Sequence, residues 1–192
     1  MSESDVSIKE YFEQRIPEIF TEQVANSPVM GMADTVARVQ FDITSKDGAK
    51  HTYSVTIKDA KELEVVPGPV SEAMVRVLLS EGDWREAVTG ELSGAADMFT
   101  DMKQMANRGR YDQLKELKGK LLIALSRAGK ENVDMEIVFN GAQTPASTFK
   151  CALEDWAKMS KGELSGMSAF MEGKLKIEGD MAFALSLSAL VS

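Results

Sequence analysis

Asp155-Trp-Ala-Lys-Met-Ser-Lys-Gly-Glu-Leu-Ser-Gly166 repeats the earlier segment Asp83-Trp-Arg-Glu-Ala-Val-Thr-Gly-Glu-Leu-Ser-Gly94 at seven of twelve positions, without a gap. An internal duplication is the economical explanation. A unit this short buries a small fraction of its surface, so we expect the two copies to pack closely or to share one sheet. The aspartates are expected to cap helices. Trp84 and Trp156 are expected to be core anchors or cavity walls.

Alternating apolar residues predict strands before each copy of this motif. Val39, Phe41 and Ile43 alternate with polar residues and are followed by a second such run at 53–57, which predicts a hairpin. Residues 120–126 and 133–139 predict another hairpin, with a further strand at 147–151. Two more strands are predicted at 63–66 and 72–80, although 73–79 also fits a short helix.

The N-terminal segment predicts an amphipathic helix. Ser7 and Glu10 have the spacing of a capping box, and apolar residues then recur at helical spacing to about Ala25. Pro17 is expected to kink this helix or to split it.

The C-terminal segment is the most informative for function. Leu175 and Ile177 predict a short strand between Gly173 and Gly179, two residues that permit sharp turns. Asp180 then predicts the cap of a final helix that is apolar on two faces. One face carries Met181, Ala184 and Leu185, and the other carries Phe183, Leu187 and Leu190. Two apolar faces require two buried contacts, one of which is the sheet. The other is a ligand cavity, a partner protein or a second layer of core.

Composition excludes several classes of protein. A formal net charge of -8 argues against nucleic-acid binding, which requires clustered Lys and Arg. One cysteine and one histidine are too few ligands for a Cys/His zinc site. No apolar run approaches the roughly 18 residues of a membrane span, and the first residues lack the features of a signal peptide, so we expect a cytoplasmic protein. No nucleophile, metal-protease or phosphate-loop motif is present, so we expect neither catalysis nor a cofactor.

The stretch Phe170-Met-x-Gly-Lys-Leu-Lys-Ile-x-Gly-Asp-Met181, preceded by Asp155-Trp and Lys161-Gly-Glu-Leu164, resembles the C-terminal signature of the sterol carrier protein type 2 family. The helix at 11–20 and the strand at 39–43 look like the opening of bacterial members. The resemblance implies an α/β (α+β) fold in which helices cover a small, mainly antiparallel sheet and enclose an apolar tunnel for fatty acids, acyl-CoA or sterol-like lipids.

Carried over by position, the resemblance implies eight residues that line the lipid cavity through apolar contacts: Trp156, Phe170, Met171, Leu175, Ile177, Met181, Ala184 and Leu185. Only the second copy keeps both glycines of the signature, because Asp101 and Asn107 replace them in the first. The lipid site is therefore assigned to the second copy, with the first as its structural support.

The chain divides into an N-terminal helical segment at 1–36, a first repeat at 37–118 and a second repeat at 119–192. Neither repeat is a complete standard domain, so one composite domain competes with two tandem domains.

Two alternatives stay open. The apolar C-terminal helix is also suited to docking on another subunit, as a homodimer or as an accessory to a lipid-metabolising enzyme. Lysines are expected either to form local patches that contact a membrane surface transiently or to be scattered on solvated faces. These lysines are Lys115, Lys118, Lys120, Lys158, Lys161, Lys174 and Lys176.

Overall fold

The N-terminal segment forms one continuous helical run. The computed structural model describes residues 6–26, 30–90, 92 and 107–188. Ser7 accepts a hydrogen bond from the Glu10 amide at 3.1 Å, which confirms the predicted cap. The run comprises α1 (Ile8–Glu10), a π-helical segment (Tyr11–Arg15) and α2 (Ile16–Asn26). Pro17 lacks an N–H and crowds the carbonyl four residues earlier, and the wider π-helical turns lie at that point.

The rest of the described chain forms eight strands and five helices. The strands are β1 (Val36–Thr44), β2 (Lys50–Lys58), β3 (Glu62–Pro67), β4 (Val75–Ser80), β5 (Gly119–Ser126), β6 (Val133–Phe139), β7 (Ala146–Ala152) and β8 (Lys176–Gly179). The helices are α3 (Glu81–Val88), α4 (Arg108–Glu116), α5 (Leu153–Ser160), α6 (Gly166–Met171) and α7 (Met181–Ser188).

All eight strands belong to one sheet with the order β3-β2-β1-β4-β6-β5-β7-β8. Five pairings are antiparallel, whereas β1 with β4 and β5 with β7 are parallel. The prediction of a mixed α/β fold with a mainly antiparallel sheet is therefore confirmed. The enclosed tunnel stays a prediction.

The two halves contain the same arrangement of three strands. In β2-β1-β4 and in β6-β5-β7, a hairpin is followed by a strand that runs parallel to the first strand of the hairpin. The halves join where β6 pairs with β4, and β8 pairs with β7 in the same antiparallel sense. The pairing of β6 with β4 is therefore equivalent to the pairing of β8 with β7. The duplication itself and the division at residues 36 and 118 stay predictions.

One face of the sheet carries the core. Alternate residues of β4, β5 and β6 are buried with helical residues such as Ala169, Phe183 and Leu187 in one cluster. A second cluster lies under the N-terminal helical run, and Phe41, Leu79 and Tyr111 pack against both clusters. The core is therefore continuous across the junction of the two halves.

Several local predictions are wrong at the ends of elements. The alternative short helix at 73–79 does not form, because Val75–Ser80 is a strand. Asp83 and Asp155 do not cap helices, since α3 and α5 begin two residues earlier and the cap positions are Ser80 and Ala152. Asp83 instead accepts a hydrogen bond from the Ser80 hydroxyl at 2.7 Å, and the Ser80 oxygen accepts one from the Asp83 amide at 3.0 Å.

Candidate functional site

The last helix is fixed to β7 by hydrogen bonds around Asp180. The Asp180 carboxylate accepts from the Phe183 amide at 2.8 Å, which confirms the predicted cap. The Asp180 amide donates to the Ala146 carbonyl at 2.9 Å, and the Ser147 hydroxyl donates to the Asp180 carbonyl at 2.6 Å. Gly179 has a φ of 94°, and a Cβ there would clash with the Ala146 carbonyl oxygen. The start of α7 therefore lies close to the sheet.

Helix α7 buries one apolar face and exposes part of another. Phe183, Ala184 and Leu187 are buried, whereas Met181 and Leu185 are 43% and 53% exposed. The predicted grouping of Ala184 with Met181 and Leu185 is wrong, because Ala184 faces inward with Phe183. Leu190, which the sequence groups with Phe183 and Leu187, lies outside the described residues.

Phe183 anchors α7 at the beginning of β5. Its ring packs edge-on against Phe139, with 6.2 Å between the ring centroids. Gly119 has a φ of 142°, and a Cβ there would lie 2.6 Å from the Phe183 ring. The helix therefore approaches this point of the sheet more closely than any side chain at position 119 would allow.

Helix α6 is also apolar and largely exposed. Ser165 caps it by accepting from the Ser168 amide at 3.0 Å, and Ala169 is its buried contact. Met167, Phe170 and Met171 are 60%, 41% and 79% exposed. Met167 was not among the predicted site residues, although the same apolar pattern includes it.

The remaining predicted site residues pack inward. Leu175 is buried, and Ile177 and Trp156 are partly buried against the same cluster. The predicted strand begins later than expected, since β8 starts at Lys176 and Leu175 precedes it. The Leu175 amide instead donates to the Ala169 carbonyl at 3.0 Å, which ties the approach to β8 to α6.

The eight predicted residues thus fall into two groups. Ala184 and the inward-packing Leu175, Ile177 and Trp156 are core residues of the second half. The others, with Met167, form what we call the exposed apolar group: Met167, Phe170, Met171, Met181 and Leu185.

Some of the lysines near this region form ion pairs. Lys174 is 2.5 Å from Glu172, Lys158 is 3.8 Å from Asp155 and Lys120 is 3.7 Å from Glu136. The hydrogen bond that Lys174 donates to the Glu172 carboxylate raises the pKa of Lys174. Three of the seven lysines predicted to form patches therefore have carboxylate partners, which weakens the argument for a basic membrane-binding patch.

The described residues contain neither a reactive cysteine nor a group of side chains that could bind a metal ion. Burial, with a smaller contribution from Asp155, raises the pKa of the Cys151 thiol to about 11, so this cysteine is an unreactive core residue. Within residues 6–26, 30–90, 92 and 107–188, no group of three or more His, Cys, Asp and Glu side chains is placed to hold a metal ion. No helix in this part of the chain is long and apolar enough to cross a membrane.

Comparisons with known proteins identify relatives. The chain is 26% identical over 147 residues to peroxisomal multifunctional enzyme A of Dictyostelium discoideum. This match covers 72% of the chain but only 33% of that enzyme, so the chain spans about a third of the length of its relative.

Solved structures with weak similarity include two insect proteins. The sterol carrier protein domain 2 of Helicoverpa armigera matches with a TM-score of 0.35 and 21% identity, over 54% of this chain and 84% of that one. Sterol carrier protein 2 like 2 of Aedes aegypti matches with a TM-score of 0.23 and 13% identity, over 92% and 93% of the two chains.

The family comparison is more specific. Residues 99–192 match the model of the SCP-2 sterol transfer family, and this range contains α5, α6, β8 and α7, with all eight predicted site residues. In residues 99–192, just under half of its length, the chain is therefore similar to the SCP-2 sterol transfer family.

Proposed function

We propose that the chain is a non-catalytic lipid-binding and lipid-transfer protein whose site lies in its second half. The observation that carries this proposal is the distribution of exposed apolar side chains. Of the seven large apolar side chains that are exposed in the described residues, five form the exposed apolar group between 167 and 185. Monomeric proteins seldom expose a concentration of apolar side chains unless it binds something.

The lipid would be held by apolar contact. Its chain would cover Phe170, Met171, Met181 and Leu185. It would extend inward from them to contact a second set of residues: Leu175, Ile177, Ala184 and Trp156. Removal of lipid surface from water would supply roughly 25 cal/mol per Å². Methionine suits this role because its flexible side chain adapts to ligands of different shape. A fatty acid, an acyl-CoA or a sterol-like lipid fits these contacts.

The test begins with the purified protein. Native mass spectrometry, followed by organic extraction and lipid identification, should find a co-purified lipid. The protein should also take up a fluorescent fatty acid. A ligand-free protein that fails to take up the probe would contradict the proposal.

A pair of variants locates the site. Leu185→Arg should weaken uptake of the fluorescent fatty acid by about tenfold or more, because a charge would then face the lipid. Val66→Arg is a matched control, since Val66 is also apolar and exposed but lies on β3 in the other half. Unchanged affinity in a folded Leu185→Arg variant would remove Leu185 from the site.

The second candidate function is docking on another protein through α7. It is supported by the exposure of Met181 and Leu185 and by the multifunctional enzyme among the relatives. In this arrangement the chain would act as an accessory to a lipid-metabolising enzyme or would form a homodimer. Size-exclusion chromatography with light scattering tests the homodimer, and a strict monomer that binds lipid would count against a partner buried on α7.

A further inference from the structure

Two buried hydrogen-bond donors lack an acceptor in the part of the chain that the structure describes. The indole Nε1 atoms of Trp84 and Trp156 are shielded from solvent, and neither has a hydrogen-bond partner among the described residues. The two tryptophans occupy equivalent positions in the repeated Asp-Trp motif. Buried polar groups are almost always paired in proteins, so each unpaired donor requires an explanation.

The surroundings of the two tryptophans differ. Trp84 is fully buried beneath the N-terminal helical run, where the Tyr11 ring packs edge-on at 5.5 Å and Ile8 and Phe12 belong to the same cluster. Trp156 is only partly buried. It lies on α5 and packs against the cluster that also contacts Leu175 and Ile177. Trp156 is therefore the tryptophan that shares its surroundings with the proposed lipid site.

We propose that the Trp156 indole N–H donates a hydrogen bond to an oxygen atom of the bound lipid. This inference rests on the proposed lipid-binding function and specifies the ligand further. The indole N–H only donates, so the lipid must present an acceptor such as a carboxylate, ester, ketone or hydroxyl oxygen beside its apolar part. In such sites apolar contacts supply most of the affinity, and a few polar groups fix the orientation of the ligand. A lipid without an acceptor would leave the N–H unpaired.

The direct test observes the indole N–H groups of the full chain by two-dimensional NMR. The chain has two tryptophans, so two indole signals are expected, and Trp156→Phe assigns them. The probes are dodecanoate and dodecanol, which offer an acceptor oxygen, and dodecyltrimethylammonium, which has the same alkyl chain without one. Dodecanoate and dodecanol should shift the Trp156 signal downfield and slow its hydrogen exchange. Dodecyltrimethylammonium should do neither, and the Trp84 signal should stay in place.

The outcomes separate this inference from the proposed function. If none of the three probes binds, the lipid-binding function itself is contradicted. If they bind but change the Trp156 signal equally, or leave it unchanged, lipid binding stands and the hydrogen bond is overturned.

A matched pair of variants gives a second measurement. Trp156→Phe keeps an aromatic ring but removes the N–H. It should weaken binding of dodecanol by about three- to tenfold relative to binding of dodecyltrimethylammonium. Trp84→Phe removes the equivalent donor in the other half and should leave that ratio unchanged. An unchanged ratio in folded Trp156→Phe would overturn the proposal. If Trp156→Phe does not fold, the spectra of the unmodified chain still decide, with the signals assigned by Trp84→Phe.

Discussion

Arg127 forms an ion pair with Glu86 that crosses the junction of the two halves. Arg127 follows β5 in the second half, and Glu86 lies on α3 in the first. The guanidinium also lies 3.9 Å from the Asp83 carboxylate and donates to the Glu131 carbonyl at 2.7 Å. Its side chain is only 11% exposed. One arginine therefore joins the hairpin of the second half to the helix of the first.

Replacing this arginine should destabilise the whole chain. Arg127→Met leaves two partly buried carboxylates without their cation, and we expect the free energy of unfolding to fall by about 1–3 kcal/mol. Urea unfolding measures the change. Lys9→Met, which breaks an exposed pair with Glu13, is the control and should have little effect. Equal effects of the two substitutions would show that the Arg127 pair contributes nothing beyond an ordinary surface pair.

The separated halves should not fold. Cutting the chain into 1–118 and 119–192 removes the pairing of β4 with β6 and leaves both strands with a free edge. Exposed strand edges promote aggregation. We expect each fragment to be insoluble or to lack a cooperative unfolding transition when followed by circular dichroism. A cooperative transition in either fragment would favour two tandem domains over one composite domain.

Asp42 should make the free energy of unfolding depend on pH. Burial raises the pKa of this carboxyl, but hydrogen bonds from Thr52, Arg76 and Gln40 and the charge of Arg76 outweigh it, so the pKa is lowered from its ordinary 3.8. Asp42 therefore binds a proton more readily in the unfolded state than in the folded state. The stability that its charge contributes is present above pH 3.8 and is lost as the pH falls through the pKa of Asp42 in the folded state.

The corresponding variant is Asp42→Asn. It should be less stable than the unmodified chain at neutral pH, and the difference should shrink below about pH 4. Urea unfolding at several pH values measures this difference. A difference that does not vary with pH would mean that the charge of Asp42 is unimportant.

Gly119→Ala should displace the last helix. The new methyl group would meet the Phe183 ring and the Pro145 carbonyl, and the positive φ adds backbone strain. Gly129→Ala is the control, because Gly129 has a φ of 71° but no atom lies within 4 Å of a Cβ placed there. We expect Gly119→Ala to lose more stability than Gly129→Ala by about 1–3 kcal/mol and to weaken lipid uptake. Equal losses would mean that only the backbone angle matters.

Much of the fold was predictable from local sequence patterns, because apolar and polar residues alternate in strands that have one buried face. Both hairpins and the caps at Ser7 and Asp180 follow from such local patterns. The true start of α3 was also within reach, since Ser80 stands three residues before Asp83 in the spacing of a capping box. The pairing of β4 with β6 was not predictable, because it depends on contacts between distant segments.

The site was less predictable than the fold. Helix α7 is apolar on nearly every side, so periodicity alone could not decide whether Ala184 or Leu185 faces inward. Packing fixes the rotation of α7, because the Phe183 ring lies against Gly119. In this orientation the neighbouring Ala184 also faces the core. The unpaired indole N–H of Trp156 likewise has no sequence signal, since it follows from the position of every neighbouring acceptor.

The contact between Phe183 and Gly119 would also limit the length of a lipid bound under α7. Because the ring touches the backbone there, no hydrocarbon chain can pass between α7 and the beginning of β5. A lipid held under α7 must therefore stop at this barrier, and chains that are too long to bend back from it must protrude into solvent. Gly119, which allows the close approach of α7, would thus also determine how long a lipid chain can be and still lie fully inside the site.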